Sequence, residues 1–354
     1  MIIKSISFKN FRNLKEAVIY PHKEKNIICG ENAQGKTNII EAVWLFTGAK
    51  SFRNAKENEM IAFKKQRAET NICFESGGIE NEIKIQIDDK KNFYFNDKKV
   101  KSAAEIAGKF NAIIFSPSDL SLVTDGPSVR RKFLDIAVGQ LYPNYIEILK
   151  NYNRAVMQRN NILKDCYRDA SLKLLLDDYE DVIAENGEKI IKYRKAYIEK
   201  LKKVAPKIYE GISNKKEILE IEYIASSDAG KLKENIKNSR KEDILRGVTS
   251  VGPHRDDILF KINSLNCRDF GSQGQKRSVA LTLKLSEAQI IKDITGEQPI
   301  ALLDDVMSEL DKSRQEYILN HIDGWQVFIT CCESSHFENL KEGKIFKVKN
   351  GEVF

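Results

Sequence analysis

The chain has 354 residues, enough for about two domains, with 58 basic against 51 acidic side chains and a net charge of +7. No run of about eighteen apolar residues occurs, and the opening MIIKSISFKNF lacks an apolar segment behind a basic stretch, so the reading points away from membrane spans and secretion. It predicts a soluble, cytoplasmic protein with no membrane partner. The positive surplus suits a polyanion such as nucleic acid, although many soluble proteins carry one without it.

The first hundred residues alternate as strands do at Ile2 to Phe8, Ala17 to Tyr20, Asn71 to Phe74, Glu82 to Ile87 and Phe93 to Phe95, the last before the turn pair Asn96-Asp97. Between them Asn26 to Cys29 reads as a short buried strand. The stretch Gly30-Glu31-Asn32-Ala33-Gln34-Gly35-Lys36-Thr37-Asn38 follows it, and Ile39, Ile40, Val43 and Trp44 continue at helical spacing. Strand, glycine loop and helix in that order, with Gly30-x4-Gly35-Lys36-Thr37, match the P-loop without a mismatch. The glycines let the backbone turn tightly, and the helix start offers N–H groups to phosphate oxygens. Lys36 is expected to reach the β- and γ-phosphates of ATP, and Thr37 to offer its hydroxyl to Mg²⁺.

Ala112 to Phe115 reads as another buried strand, ended by Ser116-Pro117. From Tyr145 the pattern becomes helical. Apolar or aromatic residues recur at Tyr145, Leu149, Tyr152, Val156, Leu163 and Cys166, with Arg159 breaking the series. A second series runs through Leu172, Leu176, Tyr179, Ile183, Asn186, Ile190, Tyr193, Tyr197, Leu201 and Val204. A spacing near 3.5 and the polar link Arg168 to Ser171 predict an antiparallel hairpin, with Asn186 on the seam. It is either a projecting arm or a pair of ordinary long helices packed on a domain. Strand-like sequence returns at Ile218 to Ile224, Ile258 to Ile262, Ile300 to Leu303 and Val327 to Thr330, so the nucleotide fold is discontinuous in sequence.

Ile300 to Leu303 leads into Asp304-Asp305 at the carboxyl end of a buried strand, where ligands of open α/β sheets bind. Asp304 is placed for the metal, and Asp305 for polarising or deprotonating the attacking water. Phe270-Gly271-Ser272-Gln273-Gly274-Gln275 precedes an amphipathic helix, with Ser272 as its N-cap, which makes a second anion-binding helix end. If the two ends cannot share one triphosphate within a monomer, two monomers must sandwich it about a two-fold axis. The six cysteines (29, 73, 166, 267, 331 and 332) show no metal spacing and are expected to be reduced, mostly buried thiols.

The order of P-loop, Ser272 motif, Asp304-Asp305 and Ser308-Glu309-Leu310-Asp311 resembles the ABC-type ATPases. Closer still, MIIKSISFKNFRNL, IIFSPSDLSLVTDGPSVRRKFLD, TSVGPHRDD, FGSQGQKRSVALTLKLSEAQ and ALLDDVMSELD are similar to the RecF family of bacterial recombination mediators. That resemblance implies an α/β ABC-ATPase head, related to those of SMC-type proteins, with an inserted helical lobe carrying a short antiparallel hairpin. The expected division is 1–118 with 292–354 as the ATP-binding lobe and 119–291 as the helical lobe. It further implies an ATP-dependent homodimer in which Ser272, Gln273, Gly274 and Gln275 touch the other subunit's γ-phosphate and Ser308 to Asp311 form the D-loop. Double-stranded and gapped DNA, RecR and RecO are the implied partners, and loading of recombinase onto coated single strands the implied task.

The chain departs from that pattern in three places. Where many ABC proteins have a switch histidine it reads Ile329-Thr330-Cys331-Cys332, so a phosphate sensor there is Thr330 or absent. Ser118 stands where an acid is expected, with Asp119 beside it. Asp305 replaces the usual glutamate, which draws the carboxylate back by more than about an ångström and predicts slow hydrolysis. Arg130, Arg131, Lys132 and Arg255 are candidate DNA-phosphate contacts; the alternative is that they serve internal packing and ion pairs.

Overall fold

The computed structural model describes residues 1–166, 169–332 and 342–354, and it divides into two compact units. One comprises Met1–Leu120, Gly211–Asn214 and Ala280–Phe354, the other Ser121–Glu210 and Lys215–Val279. The units divide at Val279–Ala280, and the expected boundary at 291–292 falls within the helix Gln273–Thr295. Arg168, in the expected hairpin link, lies outside the described residues.

In chain order the strands are β1 (Ile2–Lys9), β2 (Ala17–Ile19), β3 (Lys25–Cys29), β4 (Ala68–Ser76), β5 (Ile79–Ile87), β6 (Lys91–Phe95), β7 (Lys98–Val100), β8 (Ala112–Phe115), β9 (Leu219–Ile224), β10 (Asp257–Ile262), β11 (Leu265–Asn266), β12 (Ile300–Leu303), β13 (Val327–Cys331), β14 (Gly343–Lys349) and β15 (Glu352–Val353). The α-helices are α1 (Lys36–Leu45), α2 (Ser121–Thr124), α3 (Pro127–Leu141), α4 (Pro143–Asp165), α5 (Leu176–Ile212), α6 (Leu232–Arg246), α7 (Cys267–Phe270), α8 (Gln273–Thr295) and α9 (Lys312–His321).

The first unit holds two sheets. In the antiparallel one, ordered β2-β1-β4-β5-β6-β7, period-two burial explains the strands: Ile3, Ile6 and Phe8 of β1 and Ile83, Ile85 and Ile87 of β5 are buried, and polar residues alternate with them. Asn96 and Asp97 both take positive φ, the turn that a two-residue hairpin requires. The other sheet is ordered β15-β14-β3-β13-β12-β8, and it is parallel from β14 through β8. Its strands β8 and β12 are buried at every position, as expected where both faces are covered. The sequence reading did not include β14, the neighbour of β3 opposite β13. Gln326 ties the two sheets together, accepting from the Ile3 amide at 2.6 Å and donating to the Ile3 and His22 carbonyls.

The second unit contains the hairpin and the small sheet β11-β10-β9. Helix α4 and helix α5 lie antiparallel: Tyr145 meets Tyr193, Arg159 pairs with Glu180, and Leu163 packs on Leu176. Arg159, which interrupts the apolar series, is wholly buried and bonds to Glu180, Asp243 and Thr249. Asn186 is not on the seam. It is only partly buried and donates to the Val182 carbonyl of its own helix, while Ile183, Gly187 and Ile190 face inward. A Cβ at Gly187 would lie 2.4 Å from Leu232 Cδ2, so that side chain would have to shift to admit one.

Candidate functional site

Strand β3 ends at Cys29 and α1 begins at Lys36, so residues 30–35 form a loop at the carboxyl edge of the parallel sheet. Two glycines are required there. At Gly30 a Cβ would sit 2.3 Å from the Val348 carbonyl oxygen on β14, and Gly35 has φ 122°, a region side chains rarely enter. Asn13 holds the loop from outside, donating to the carbonyls of Ala33 (3.2 Å) and Gln34 (3.0 Å) and accepting from the Asn38 amide at 2.7 Å. The β14–β15 turn adds two more ties, the Asn350 amide to Gln34 Oε1 and the Gly351 amide to the Gln34 carbonyl.

Within this frame Lys36 is 4% exposed and its ammonium donates to the Gly30 carbonyl at 2.6 Å and the Glu31 carbonyl at 3.1 Å. Thr37 Oγ1 donates to Asp304 Oδ1 at 2.9 Å. Thr37 and Asp304, far apart in sequence, are therefore adjoined. Asp304 is 6% exposed. Burial raises its carboxyl pKa, the Thr37 hydrogen bond opposes that, and the charge of Asp305 adds to it.

Thr330 joins the two acids. It accepts from the Asp305 amide at 2.8 Å, and its hydroxyl is within donating distance of Asp304 Oδ1 at 3.1 Å and Asp305 Oδ1 at 3.3 Å. Asp305 has φ 51°, a costly conformation for a non-glycine residue and a common one at functional sites. Ser308 Oγ donates to the Asp305 carbonyl at 2.9 Å, and Glu309 lies in the same short turn. Gln315 holds the carbonyls of Met307 and Leu310, and Asp311 caps α9 by accepting from the Arg314 amide. Asp304, Asp305, Thr330 and Ser308 thus form one bonded group beside Thr37.

The sequence reading missed Asn13 and a second network behind the loop. Arg12 grips the buried Glu41 through two bonds of 2.9 Å, and Arg53 donates to Asn38 Oδ1 at 3.0 Å. A lone arginine and asparagine in the sequence give no signal for this. Asp119 accepts from the Ser116 amide at 2.7 Å, and Ser118 bonds the Ser116 hydroxyl. Burial raises the Asp119 pKa to about 6, with the nearby Lys284 ammonium opposing it.

Ser272–Gln275 belong to the second unit. Ser272 Oγ accepts from the Gln275 amide at 3.2 Å and Gln275 Oε1 from the Ser272 amide at 2.7 Å, a reciprocal capping box that starts α8 as expected. Gln275 also donates to Glu217, while Gln273 and Gly274 form the first turn.

Arg130 and Arg131 make internal bonds. Arg130, 4% exposed, makes a bidentate pair with Asp257 (2.6 and 2.9 Å) and a bond to the Asp125 carbonyl, so its donors are engaged inside the unit instead of facing DNA. Arg131 donates to the Asp256 carbonyl, and Lys132 is half-buried on α3. Arg255 is exposed, although two of its nitrogens bond to the Thr249 carbonyl. Among the described residues no helix is long and apolar enough to cross a membrane, and no cluster of acids, histidines and cysteines suits a protein-only metal cage.

The chain matches known proteins along essentially its whole length. The family model described as RecF/RecN/SMC N terminal domain matches residues 2–353. A DNA replication and repair protein RecF from Lachnospira eligens is 37% identical over 359 residues, covering 100% of this chain and 99% of that protein. The one from Clostridium tetani is 39% identical over 368 residues, with 99% of each covered. The solved structure of the recombination mediator protein RecF-ATP in the RecFOR pathway superposes with a TM-score of 0.92 at 39% identity, over 100% of this chain and 97% of that one. An Smc head domain from Pyrococcus furiosus, bound to a ScpA domain, superposes at 0.55 with 15% identity, over 99% and 95% of the two chains, a likeness of fold.

Proposed function

The chain belongs to the RecF family, within the RecF/RecN/SMC group, and from that premise we propose that it is an ATP-binding recombination mediator of DNA repair and replication. In this reading it dimerises on ATP, binds double-stranded and gapped DNA, acts with RecR and RecO, and helps load recombinase onto single strands coated by single-strand-binding protein. Hydrolysis is slow and resets the cycle.

The observation that carries the reading is the Thr37–Asp304 hydrogen bond of 2.9 Å beside the buried Lys36. A hydroxyl and a carboxylate are hard oxygen donors and fit Mg²⁺, and Thr37 and Asp304 would hold it. When bound with ATP, the ion neutralises charge on the β- and γ-phosphates. The chain's own residues do the rest. Gly30 to Asn38 wrap the phosphates with backbone N–H groups, and Lys36 exchanges its two carbonyl partners for phosphate oxygens. Asp305, fixed by Thr330 and Ser308, orients the attacking water and takes up its proton. Ser272 to Gln275 of a second copy would complete the site, with Ser308 to Asp311 at the junction. Arg255, exposed on the second unit, is carried forward as a DNA contact, and Arg130 is not.

Size measurement in solution tests the reading. With ATP and Mg²⁺ the Asp305→Asn protein should sediment as a dimer, and Lys36→Ala should remain a monomer with no turnover. A wild-type chain whose size ignores ATP would overturn it.

A further inference from the structure

Strands β3 and β13 are parallel neighbours in register, with Cys29 directly opposite Cys331. Their sulfurs lie 3.0 Å apart. Neighbouring strands are about 4.8 Å apart, and the backbone separation of disulfide-linked cysteines spans about 4.4–6.8 Å, so the strand spacing is compatible with a bond between them. Cys29 is the residue before Gly30, the Gly30 amide donates to the Cys331 carbonyl, and the Gly30 carbonyl holds Lys36. Cys332, exposed, continues the cluster, its sulfur 3.8 Å from the Lys36 ammonium and 3.2 Å from Asn32 Oδ1.

We propose that Cys29 and Cys331 form a dithiol modification site that closes to a disulfide under small peroxides and thereby weakens nucleotide binding at the loop; the consequence rests on the ATP-binding reading above. The Cys29 sulfur attacks one peroxide oxygen, the O–O bond breaks, and the leaving hydroxide takes the thiol proton as water. Cys331 sulfur then attacks the resulting sulfenic sulfur, its S–H proton leaves with the displaced hydroxide as a second water, and the S–S bond forms. Two electrons pass from the thiols to the peroxide.

Cys29 is itself buried, only 5% exposed, and its surroundings favour the thiolate that attacks. The hydrogen bond from Cys331 lowers its pKa against the effect of burial, with the Lys36 and Lys347 ammonium groups assisting. Closing the bond draws the sulfurs in by about 1 Å, to the length of a disulfide. The pull falls on the residue that sets Gly30, whose oxygen and nitrogen both take part in the loop's bonding.

Peroxide treatment of the reduced full-length chain, followed by peptide mass mapping, should return a Cys29–Cys331 crosslink. Binding of a fluorescent ATP analogue should weaken by about tenfold and recover with dithiothreitol. Cys331→Ser, and separately Cys29→Ser, should bind the analogue as the reduced wild type does and lose the peroxide response. A crosslink that leaves binding unchanged, peroxide sensitivity that survives in both variants, or oxidation confined to Cys332 would each overturn the proposal. Failure of the reduced wild type to bind ATP would instead remove the nucleotide reading, whereas an ATP-binding chain that forms no crosslink sinks the thiol proposal alone.

Discussion

Thr330 holds its hydroxyl within donating distance of two carboxylates and accepts from the Asp305 amide in return. Valine has the same shape without those bonds, so Thr330→Val should leave Asp305 free to leave its strained φ. Under the proposed function, kcat should fall by about tenfold to a hundredfold with ATP affinity within about threefold, because the loss concerns the water and not the phosphates. Steady-state turnover and analogue titration separate the two effects; equal losses in both would show that Thr330 supports the loop instead.

A different residue sets acid stability. His254 bonds the Thr249 carbonyl through Nε2 at 3.0 Å, which makes Nε2 the donor and lets Nδ1 accept from the Tyr152 hydroxyl at 2.6 Å. Burial lowers its pKa to about 4, against the Thr249 bond. A depressed folded pKa means that the native state resists protonation. The stabilising contribution is complete above the ordinary value near 6.5 and is lost as pH falls toward 4. Urea unfolding should register a loss of about 2 kcal/mol between pH 7 and pH 5, and His254→Gln should flatten that part of the profile.

Among elements, the α4–α5 hairpin depends on one buried ion group. Arg159→Ala would leave Asp243 without its ion-pair partner and Glu180 with only Arg240, at a cost of about 3–5 kcal/mol in thermal or urea unfolding. Gly187→Ala, which drives a methyl into Leu232 and toward Tyr152, should cost about 1–3 kcal/mol by overpacking. The hairpin itself was legible because Ile183, Ile190 and Leu201 keep their spacing. Its register was not, since a small residue beside a bulky neighbour on another helix leaves no periodic trace, and Asn186 occupied the expected position. The P-loop and the Asp304–Asp305 strand were legible for the opposite reason. Local chain order already fixes a strand, a loop and a helix start, so Lys36, Thr37 and Asp304 could be named as candidates by type and spacing, and the structure brings Thr37 and Asp304 together. Asn13 and β14 gave no such signal, because their roles depend on contacts with segments remote in the chain.

For the whole molecule, the proposed function makes DNA affinity a matter of phosphate contacts. Affinity for a duplex with a gap should then fall steeply between about 50 and 200 mM salt, by about 10³–10⁵ if about six to ten phosphates are neutralised, measured by fluorescence anisotropy with ATP present. Arg255→Ala should reduce the salt slope by about one, while a slope near zero would exclude phosphate recognition as the main term.

Strand β3, which launches the P-loop, is flanked by β13 and β14, contributed by residues 327–331 and 343–349. Residues 1–326 must therefore all be translated before the loop has either flanking strand. Under the proposed function, nascent chains stalled before residue 327 should retain no affinity for immobilised ATP.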